Sequence, residues 1–246
     1  MGQKMRLDKY LANMGIGTRS EVKQMLKKGK IKVNDAVVHT PEVKIDIETD
    51  TIMADNQMVS YEKYVYYMLH KPAGVVSATE DNKEKTVIDL MEKEQKKDLF
   101  PVGRLDKDTE GLLLITNDGE LAHNLLSPKK HVSKVYYAKI DGKVIEEDVK
   151  VFKEGVQIDK DFRALPAELE IICAGAQSEI RVTIYEGKFH QVKRMFEAVG
   201  KKVTYLKRLS MGSLVLDETL ELGQYRRLTQ EELEGLQKGS GNDVEK

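Results

Sequence analysis

A run of charged side chains directly before an apolar segment has the clearest capacity for chemistry in this sequence. The run Pro101–Leu114 reads PVGRLDKDTEGLLL and brings three carboxylates close together: Asp106, Asp108 and Glu110. Two neighbouring carboxylates can share the acid and the base or nucleophile roles, as they do in glycosidases. An aspartate here can also be purely structural, accepting hydrogen bonds from backbone N–H groups in a turn. The residues by themselves leave both alternatives open.

Other catalytic signatures are absent from the sequence. It has no phosphate-binding GxxxxGK[ST] loop, no complete GxGxxG fingerprint, no HExxH zinc motif and no GxSxG nucleophile elbow. Cys173 is the only cysteine, which excludes an internal disulfide and a cysteine-based zinc site. We therefore predict a reaction that needs neither a cofactor nor a metal. The histidines lack metal-ligand spacing, and each is expected to be a surface or hydrogen-bonded residue: His39, His70, His123, His131 and His190.

The charges are balanced in total but unevenly distributed. The chain has 40 Lys and Arg residues against 41 Asp and Glu residues. Residues 1–33 carry nine cations and two anions, residues 34–62 carry seven anions and one cation, and residues 188–208 carry seven cations and one anion. Clustered cations attract a phosphate backbone over about 8 Å in physiological salt. The two basic segments are therefore expected to face a polyanion, although each is also compatible with an ordinary solvated surface.

The apolar segments are too short for a membrane span. Runs such as Leu112–Ile115 are far shorter than the roughly 18 residues that a spanning helix needs. The first residues also lack the apolar stretch of a signal peptide. We expect a cytoplasmic protein.

The first 35 residues are predicted to form a compact helical module. Apolar residues recur at helical spacing over 7–14, and Thr18 with Glu21 three residues later is a capping box that begins a second helix. From residue 63 onward, strands alternate with helices without a regular βαβ rhythm, which predicts an α+β domain on a mixed or antiparallel sheet. The expected boundaries are a first domain over 1–50, a linker over 51–62, a catalytic domain over 63–237 and a flexible tail over 238–246.

Several segments of the chain, taken together, resemble the bacterial ribosomal RNA pseudouridine synthases. The run Gly103–Leu113 is similar to that family's GRLDxx[ST]xGLL signature. Other motifs of the family are matched in the expected order by His70–Gly74 (HKPAG), Lys134–Tyr136 (KVY), Glu186–Phe196 (EGKFHQVKRMF) and Leu206–Gly212 (LKRLSMG).

The resemblance extends to the domain organisation. Residues 5–50 resemble the S4-type RNA-binding domain that such enzymes carry at the N-terminus, ahead of a mixed or antiparallel-sheet catalytic domain. The segment Leu126–His131 is most similar to the subgroup that acts on small-subunit (16S) ribosomal RNA, often called RsuA-type. The similarity covers about residues 5–230.

The resemblance also implies a reaction and a role for each matched residue. In that reaction the N1–C1′ bond of a uridine breaks, the base turns, and C5 joins C1′. Asp106 would be the catalytic carboxylate, either as a nucleophile or as a base, with Lys193 as the cation that keeps it ionised. Tyr136 would stack on the uracil, and Arg104 would contact phosphate or fill the place of the extruded base. The implied RNA contacts are Arg6, Lys9, Arg19, Lys23, Lys27, Lys28, Lys188 and Arg194.

Two of these roles have simpler alternatives. Spacing alone also allows Lys193 to form a surface pair with Glu197, one helical turn later, although Arg is common among relatives at position 193. Tyr136 can equally be a half-buried strand tyrosine. Because Tyr137 points to the opposite face of the strand, only one of the two tyrosines is expected to face a pocket.

The predicted function is conversion of uridine to pseudouridine in 16S ribosomal RNA, by a monomer acting on the RNA or on a small-subunit assembly intermediate. The alternatives are the same chemistry on 23S ribosomal RNA, a non-catalytic S4-type ribosome-binding protein, and a glycosidase.

Overall fold

The computed structural model describes residues 3–92 and 98–241. The described chain divides into two compact units, one holding residues 3–64 with 92 and 98, the other holding 65–91 and 99–241. In the first unit the elements are β1 (Lys4–Arg6), α1 (Leu7–Asn13), α2 (Arg19–Lys27), β2 (Ile31–Val33), β3 (Ala36–Val37), β4 (Lys44–Asp46), β5 (Ile52–Ala54) and β6 (Gln57–Met58).

The first unit forms for the local reasons visible in its sequence. Leu7 and Leu11 of α1 are completely buried, as their helical spacing requires. The backbone N–H of Glu21 donates to the Thr18 hydroxyl, and the Glu21 carboxylate accepts from the Thr18 backbone N–H. This confirms the predicted capping box, which satisfies donors that the start of a helix leaves unpaired.

The prediction of a linker over 51–62 needs correction. Strands β5 and β6 lie in this segment and join β2 and β3 in one sheet, in the order β3-β2-β5-β6. Ile52 is buried there in the same apolar cluster as the two helices. The acidic composition conceals these strands because the charges lie in the 47–49 turn and at Asp50 before β5, and in the Asp55–Asn56 turn after it.

The second unit is built on a mixed sheet with helices. Its helices are α3 (Gly119–Leu126), α4 (Glu146–Glu154), α5 (Gln191–Ala198) and α6 (Gln230–Gly241). Its strands are β7 (Tyr66–Lys71), β8 (Phe100–Pro101), β9 (Glu110–Thr116), β10 (Lys134–Asp141), β11 (Glu168–Cys173), β12 (Gln177–Ile184), β13 (Lys202–Met211), β14 (Leu214–Val215) and β15 (Tyr225–Arg227).

The main strands run in the order β11-β12-β10-β13-β9-β7-β15. Neighbours are antiparallel except β9 and β13, which are parallel. Strand β9 lies in the middle and is buried on both faces: Leu113 and Ile115 belong to one apolar cluster, while Leu112 and Leu114 belong to the other. The prediction of an α+β fold with a mixed sheet is confirmed.

The C-terminal helix is longer than the sequence suggests. A tail was expected from residue 238, but α6 continues to Gly241, and residues 242–246 lie outside the described residues. The helix begins where Thr229 and Glu232 form a capping box. Glycines at 239 and 241 lower helix propensity by about 1 kcal/mol each, which weakens a helix without necessarily ending it.

Gly111 allows strands β9 and β13 to approach each other. It lies opposite Arg208 in the parallel pair and has φ of +105°, a conformation that favours glycine. A Cβ at this position would lie 2.2 Å from the Arg208 carbonyl oxygen and 2.6 Å from its nitrogen. The second glycine of the charged run is therefore a packing requirement of the sheet.

We expect Gly111→Ala to lower the free energy of unfolding by roughly 3 kcal/mol or more, because the methyl group meets backbone that cannot rotate away. Gly119→Ala is the matched control, since a Cβ there meets nothing within 4 Å. Guanidinium unfolding should separate the two variants clearly. Equal midpoints would show that the strands can move apart at little cost.

Candidate active site

The charged run leads into a pocket on the second unit. Its walls come from the loop before β9, from β10, β12 and β13, and from the segment that begins α5. The pocket has a volume of about 100 Å³. It is lined by Gly103, Arg104, Leu105, Asp106, Thr109, Leu126, Lys134, Tyr136, Ile184, Gly187, Lys188, His190, Gln191, Val192, Leu206 and Arg208.

Asp106 and Lys193 form an ion pair at this pocket. The Lys193 ammonium lies 3.0 Å from Asp106 Oδ2, and both side chains are mostly buried, with 18% and 22% of their surface exposed. Val192 is buried in the core, so Lys193 projects from the flank of α5. Desolvation of a carboxylate disfavours its ionised form, and a cation at this distance offsets that effect.

Lys193 also binds a second carboxylate. Its ammonium donates to Asp108 Oδ1 at 2.6 Å. Burial alone would lower the pKa of Lys193, but the hydrogen bonds and charges of Asp108 and Asp106 outweigh it, so the pKa is raised. Burial would likewise raise the pKa of Asp108, but Lys193 lowers it below the ordinary range. The lysine is therefore held as a cation shared by two carboxylates.

Lys71 holds the loop that carries Asp106 in place by hydrogen bonds to its backbone. This lysine, the last residue of β7, is fully buried. Its ammonium donates to the main-chain carbonyl oxygens of Pro72 at 2.9 Å, Asp106 at 3.1 Å, Lys107 at 3.3 Å and Thr109 at 2.8 Å. These contacts use only the backbone of residue 106 and leave its carboxylate free to face the pocket.

Tyr136 provides an aromatic wall beside the carboxylate. It is 7% exposed and lines the pocket with Ile184 and Leu206. Tyr137 points to the other face of β10, where its ring packs edge-on against Tyr205 at 6.0 Å between centroids. The pocket thus combines an apolar slot, one aromatic ring and a carboxylate paired with a lysine, which suits a planar base attached to a sugar.

Comparisons with known proteins agree with this geometry. Residues 65–198 match the family model described as RNA pseudouridylate synthase, and residues 5–52 match the S4 domain model. The first match spans more than half of the chain. This chain belongs to the RNA pseudouridylate synthase family. The family and enzyme class implied by the sequence motifs are thereby confirmed.

Relatives and a solved structure are similar to the enzyme over nearly its whole length. The ribosomal small subunit pseudouridine synthase A of Vibrio cholerae is 40% identical over 95% of this chain and 100% of its own. The ribosomal large subunit pseudouridine synthase B of Bacillus subtilis is 38% identical over 94% of this chain and 95% of its own. A crystal structure of a pseudouridylate synthase, 37% identical, matches with a TM-score of 0.67 over 94% of this chain and 99% of its own.

The carboxylate arrangement does not favour the glycosidase alternative. A glycosidase needs one carboxylic acid with a raised pKa as proton donor. The pKa of Asp108 is instead lowered, as the shared ion pair with Lys193 requires. Glu110 accepts a hydrogen bond from the Tyr205 hydroxyl at 2.7 Å and does not line the pocket.

The enzyme's remaining predicted site residues divide into two groups. Arg104 and Lys188 line the pocket and are exposed, so both remain available to RNA. Arg194 forms an ion pair with Asp159 and is not part of the pocket lining. The pair with Glu197 considered for Lys193 is replaced by the pairs with Asp106 and Asp108.

In the first unit, the predicted RNA contacts are mostly free to bind. Arg6 donates to the Asp8 carboxylate at 2.9 and 3.0 Å and to Glu42 at 3.3 Å, so much of its charge is already neutralised. The other cations predicted as contacts are exposed: Lys9, Arg19, Lys23, Lys27 and Lys28.

Sequence reasoning missed two residues near the carboxylate. His190 Nε2 lies 3.6 Å from Asp106 Oδ1, although no histidine was expected in the site. Lys71 was recognised only as part of a motif, without its role in supporting the loop. The sequence feature that could have indicated this role is a lysine at the end of an apolar strand. If such a lysine is buried, its ammonium needs several hydrogen-bond acceptors.

No metal or membrane feature was found in the described residues. Within 3–92 and 98–241, no group of three or more His, Cys, Asp or Glu residues is placed to hold a metal ion. In the same ranges no helix combines the length and the apolar character needed to cross a bilayer.

The buried ammonium of Lys71 makes stability depend on pH. Desolvation lowers the pKa of Lys71 from 10.5 to about 8, against the opposing charges of Asp108, Asp106 and Glu110. At a pH between these two pKa values, Lys71 is protonated in the unfolded chain and deprotonated in the folded chain. Stability contributed by this group therefore rises with pH through that window.

The test compares the free energies of unfolding of the wild type and of Lys71→Met. We expect the wild-type value minus the variant value to increase by up to about 3 kcal/mol between pH 8 and 10.5. Subtracting the variant cancels the titration of all other groups. The measurement is guanidinium unfolding at a series of pH values. A flat difference curve would contradict a lowered pKa for Lys71.

Proposed function

We propose that this enzyme converts uridine to pseudouridine in 16S ribosomal RNA, with Asp106 as the essential catalytic group and without a cofactor. The observation that carries the proposal is the Asp106–Lys193 ion pair at the wall of a pocket that also holds the ring of Tyr136. Pseudouridine contains the same atoms as uridine. The N1–C1′ bond breaks, the C5–C1′ bond forms, and a proton leaves C5 while N1 gains one. This balance requires no oxidant or reductant.

Asp106 would supply the negative charge at the reacting centre. It acts either as a nucleophile or as a base that removes a sugar proton, and its position supports both roles. Lys193 keeps the carboxylate ionised and, with Asp108, holds it in place. Tyr136 stacks on the uracil, which is worth ~1–3 kcal/mol in other base-stacking proteins. These groups fix the base while its attachment to the sugar changes.

The target uridine has to leave its helix to reach this pocket. A base inside a stack cannot bring both C1′ and its ring edge to buried groups, so the nucleotide is extruded. Arg104, exposed at the pocket, would then contact phosphate or occupy the vacated position. We assign RNA binding to an S4-type domain in the first unit, which includes β5 and β6, and chemistry to the second unit. We also propose that the enzyme acts as a monomer, and a ribosomal RNA substrate supports action in the cytoplasm.

A second candidate substrate is 23S ribosomal RNA. The large-subunit synthase is almost as similar to this chain as the small-subunit synthase, so overall similarity favours 16S only slightly. Incubating the purified enzyme with unmodified 16S and 23S transcripts, followed by pseudouridine mapping, distinguishes the two. A site in 16S supports the proposal, and a site only in 23S replaces the substrate. A well-folded enzyme that modifies neither RNA would leave a non-catalytic ribosome-binding role.

We also predict that the first unit contributes a salt-dependent part of RNA affinity. Replacing Lys23 and Lys27 by alanine removes two exposed cations. Each phosphate contact on a single strand contributes ~0.7 to the slope of the logarithm of the binding constant against the logarithm of salt concentration, so the magnitude of the slope should fall by about 1.4. Lys30→Ala is the control, because the Lys30 ammonium already lies 2.9 Å from Asp55. Filter binding over a range of salt concentrations measures the slopes. Identical slopes for all three proteins would exclude these contacts.

A further inference from the structure

Arg208 lines the pocket but has no part in the chemistry described above. Its side chain is 2% exposed, and Nε donates to the Leu112 carbonyl oxygen at 2.8 Å. Within the described residues, its Nη2 atom is buried and has no hydrogen-bond partner. A buried donor on a charged group is costly to leave unpaired. This donor therefore points to an acceptor that arrives with the substrate.

A second buried cation lies on the same wall. Lys134 is 6% exposed, lines the pocket, and donates to the Val132 carbonyl oxygen at 2.9 Å. Burial and, after it, the charge of Arg208 lower the pKa of Lys134 to about 8, while the charge of Glu186 opposes the shift. Tyr136 lies opposite Arg208 in the sheet register, so the two side chains share a face with Lys134, two residues before Tyr136. This end of the pocket is rich in donors.

Arg208 and Lys134 are buried, and their burial determines which acceptor groups of the RNA can reach them. A guanidinium only donates, so its partner in the RNA has to be an acceptor, such as a phosphate, a ribose oxygen or a carbonyl oxygen of a base. Phosphates stay at the surface of an RNA, where Arg104 and Lys188 are exposed to meet them. An extruded base reaches deeper, alongside Tyr136. Uracil presents carbonyl oxygens at C2 and C4, whereas cytosine presents an amino group at C4, a donor that would face another donor.

We propose that Arg208 is a specificity-determining residue that donates from Nη2 to the C4 carbonyl oxygen of the extruded uracil, which selects uracil over cytosine. This inference rests on the proposed function. Lys134 adds positive charge beside the same edge of the base. A site built to hydrogen-bond a substrate group discriminates strongly against an analogue that lacks the matching atom.

The test couples a change in the protein to a change in the base. The substrate is a synthetic RNA containing the mapped target uridine, or 2-thiouridine or 4-thiouridine in its place, since sulfur is a weaker hydrogen-bond acceptor than oxygen. Single-turnover rates are measured for the wild type, for Arg208→Lys and for Arg163→Lys. Arg163 is the matched control, because its guanidinium also donates to carbonyl oxygens, of Gly155 and Glu154, but does not line the pocket.

We expect 4-thiouridine, but not 2-thiouridine, to slow the wild type and Arg163→Lys by roughly tenfold to a hundredfold more than Arg208→Lys, because only the first two retain the bond that sulfur weakens. The electronic effect of sulfur on the base is common to all three proteins and cancels in the comparison. A purely structural Arg208 would lower every rate by the same factor.

Equal sulfur effects in all three proteins would overturn the role of Arg208 while leaving the proposed function intact. A wild type that converts no uridine in ribosomal RNA would overturn both. Thermal unfolding shows whether Arg208→Lys is folded. If it is not, Arg208→Met, which keeps an unbranched side chain but has no donor, is assayed with the same substrates and is expected to show the same reduced sulfur effect.

Discussion

Replacing Asp106 by asparagine is expected to lower the single-turnover rate of pseudouridine formation by roughly 10³-fold or more, the scale at which a catalytic carboxylate contributes. Asparagine has nearly the same shape but can neither attack a carbon atom nor accept a proton. RNA affinity should remain within about twofold, because the exposed cations that bind phosphate are unchanged.

The fold should also tolerate this substitution. Lys71 binds the carbonyl oxygen of residue 106 and not its side chain, so the support of the loop is preserved. Asp108→Asn is the matched control: it removes a neighbouring carboxylate from the same lysine, but that side chain is 73% exposed. We expect this control to lose far less activity. Comparable losses in the two variants would mean that total negative charge, and not Asp106 itself, drives the reaction.

The second large effect is expected at Lys193. Replacing it by methionine leaves Asp106 in a mostly buried site without its cation and should lower the rate by roughly 10²–10³-fold, similar to the loss of a preorganised electrostatic group. Without that cation, burial destabilises the negative charge that Asp106 needs in either role, as nucleophile or as base.

Two further variants show whether charge at this position is the cause. Lys193→Arg retains a cation and should keep much more activity than Lys193→Met. Arg194→Met removes the adjacent cation, which pairs with Asp159 outside the pocket, and should affect the chemical step little. If Lys193→Met were as active as the wild type at neutral pH, the ion pair would have only a structural role.

The local part of the fold was predictable from the sequence. Helix α2 begins at a capping box and α5 has an apolar stripe along one face, so both depend on residues three or four positions apart. Strand β13 is difficult to predict from the sequence, since Lys202, Lys207 and Arg208 interrupt its apolar pattern. Its stability comes instead from pairing with β10 on one side and β9 on the other. No local pattern encodes such pairing between distant segments.

The candidate site was predictable only where a known motif marked it. Asp106 and Lys193 are far apart in sequence, and their direct contact follows from the fold that brings α5 to the loop before β9. The resemblance to a known family supplied both positions, whereas spacing alone paired Lys193 with Glu197. Lys71 and Arg208 could not have been found from composition, because a lysine or arginine is normally exposed. Their burial is visible only once the sheet is assembled.

Pseudouridine mapping in cells tests the central claim most directly. Ribosomal RNA is compared among a strain that lacks the gene, the same strain carrying the wild-type gene, and the same strain carrying Asp106→Asn. We predict that one 16S uridine remains unmodified in the deletion strain, becomes pseudouridine with the wild-type gene, and stays unmodified with the variant although the protein is present. Restoration of the modification by Asp106→Asn would contradict the account.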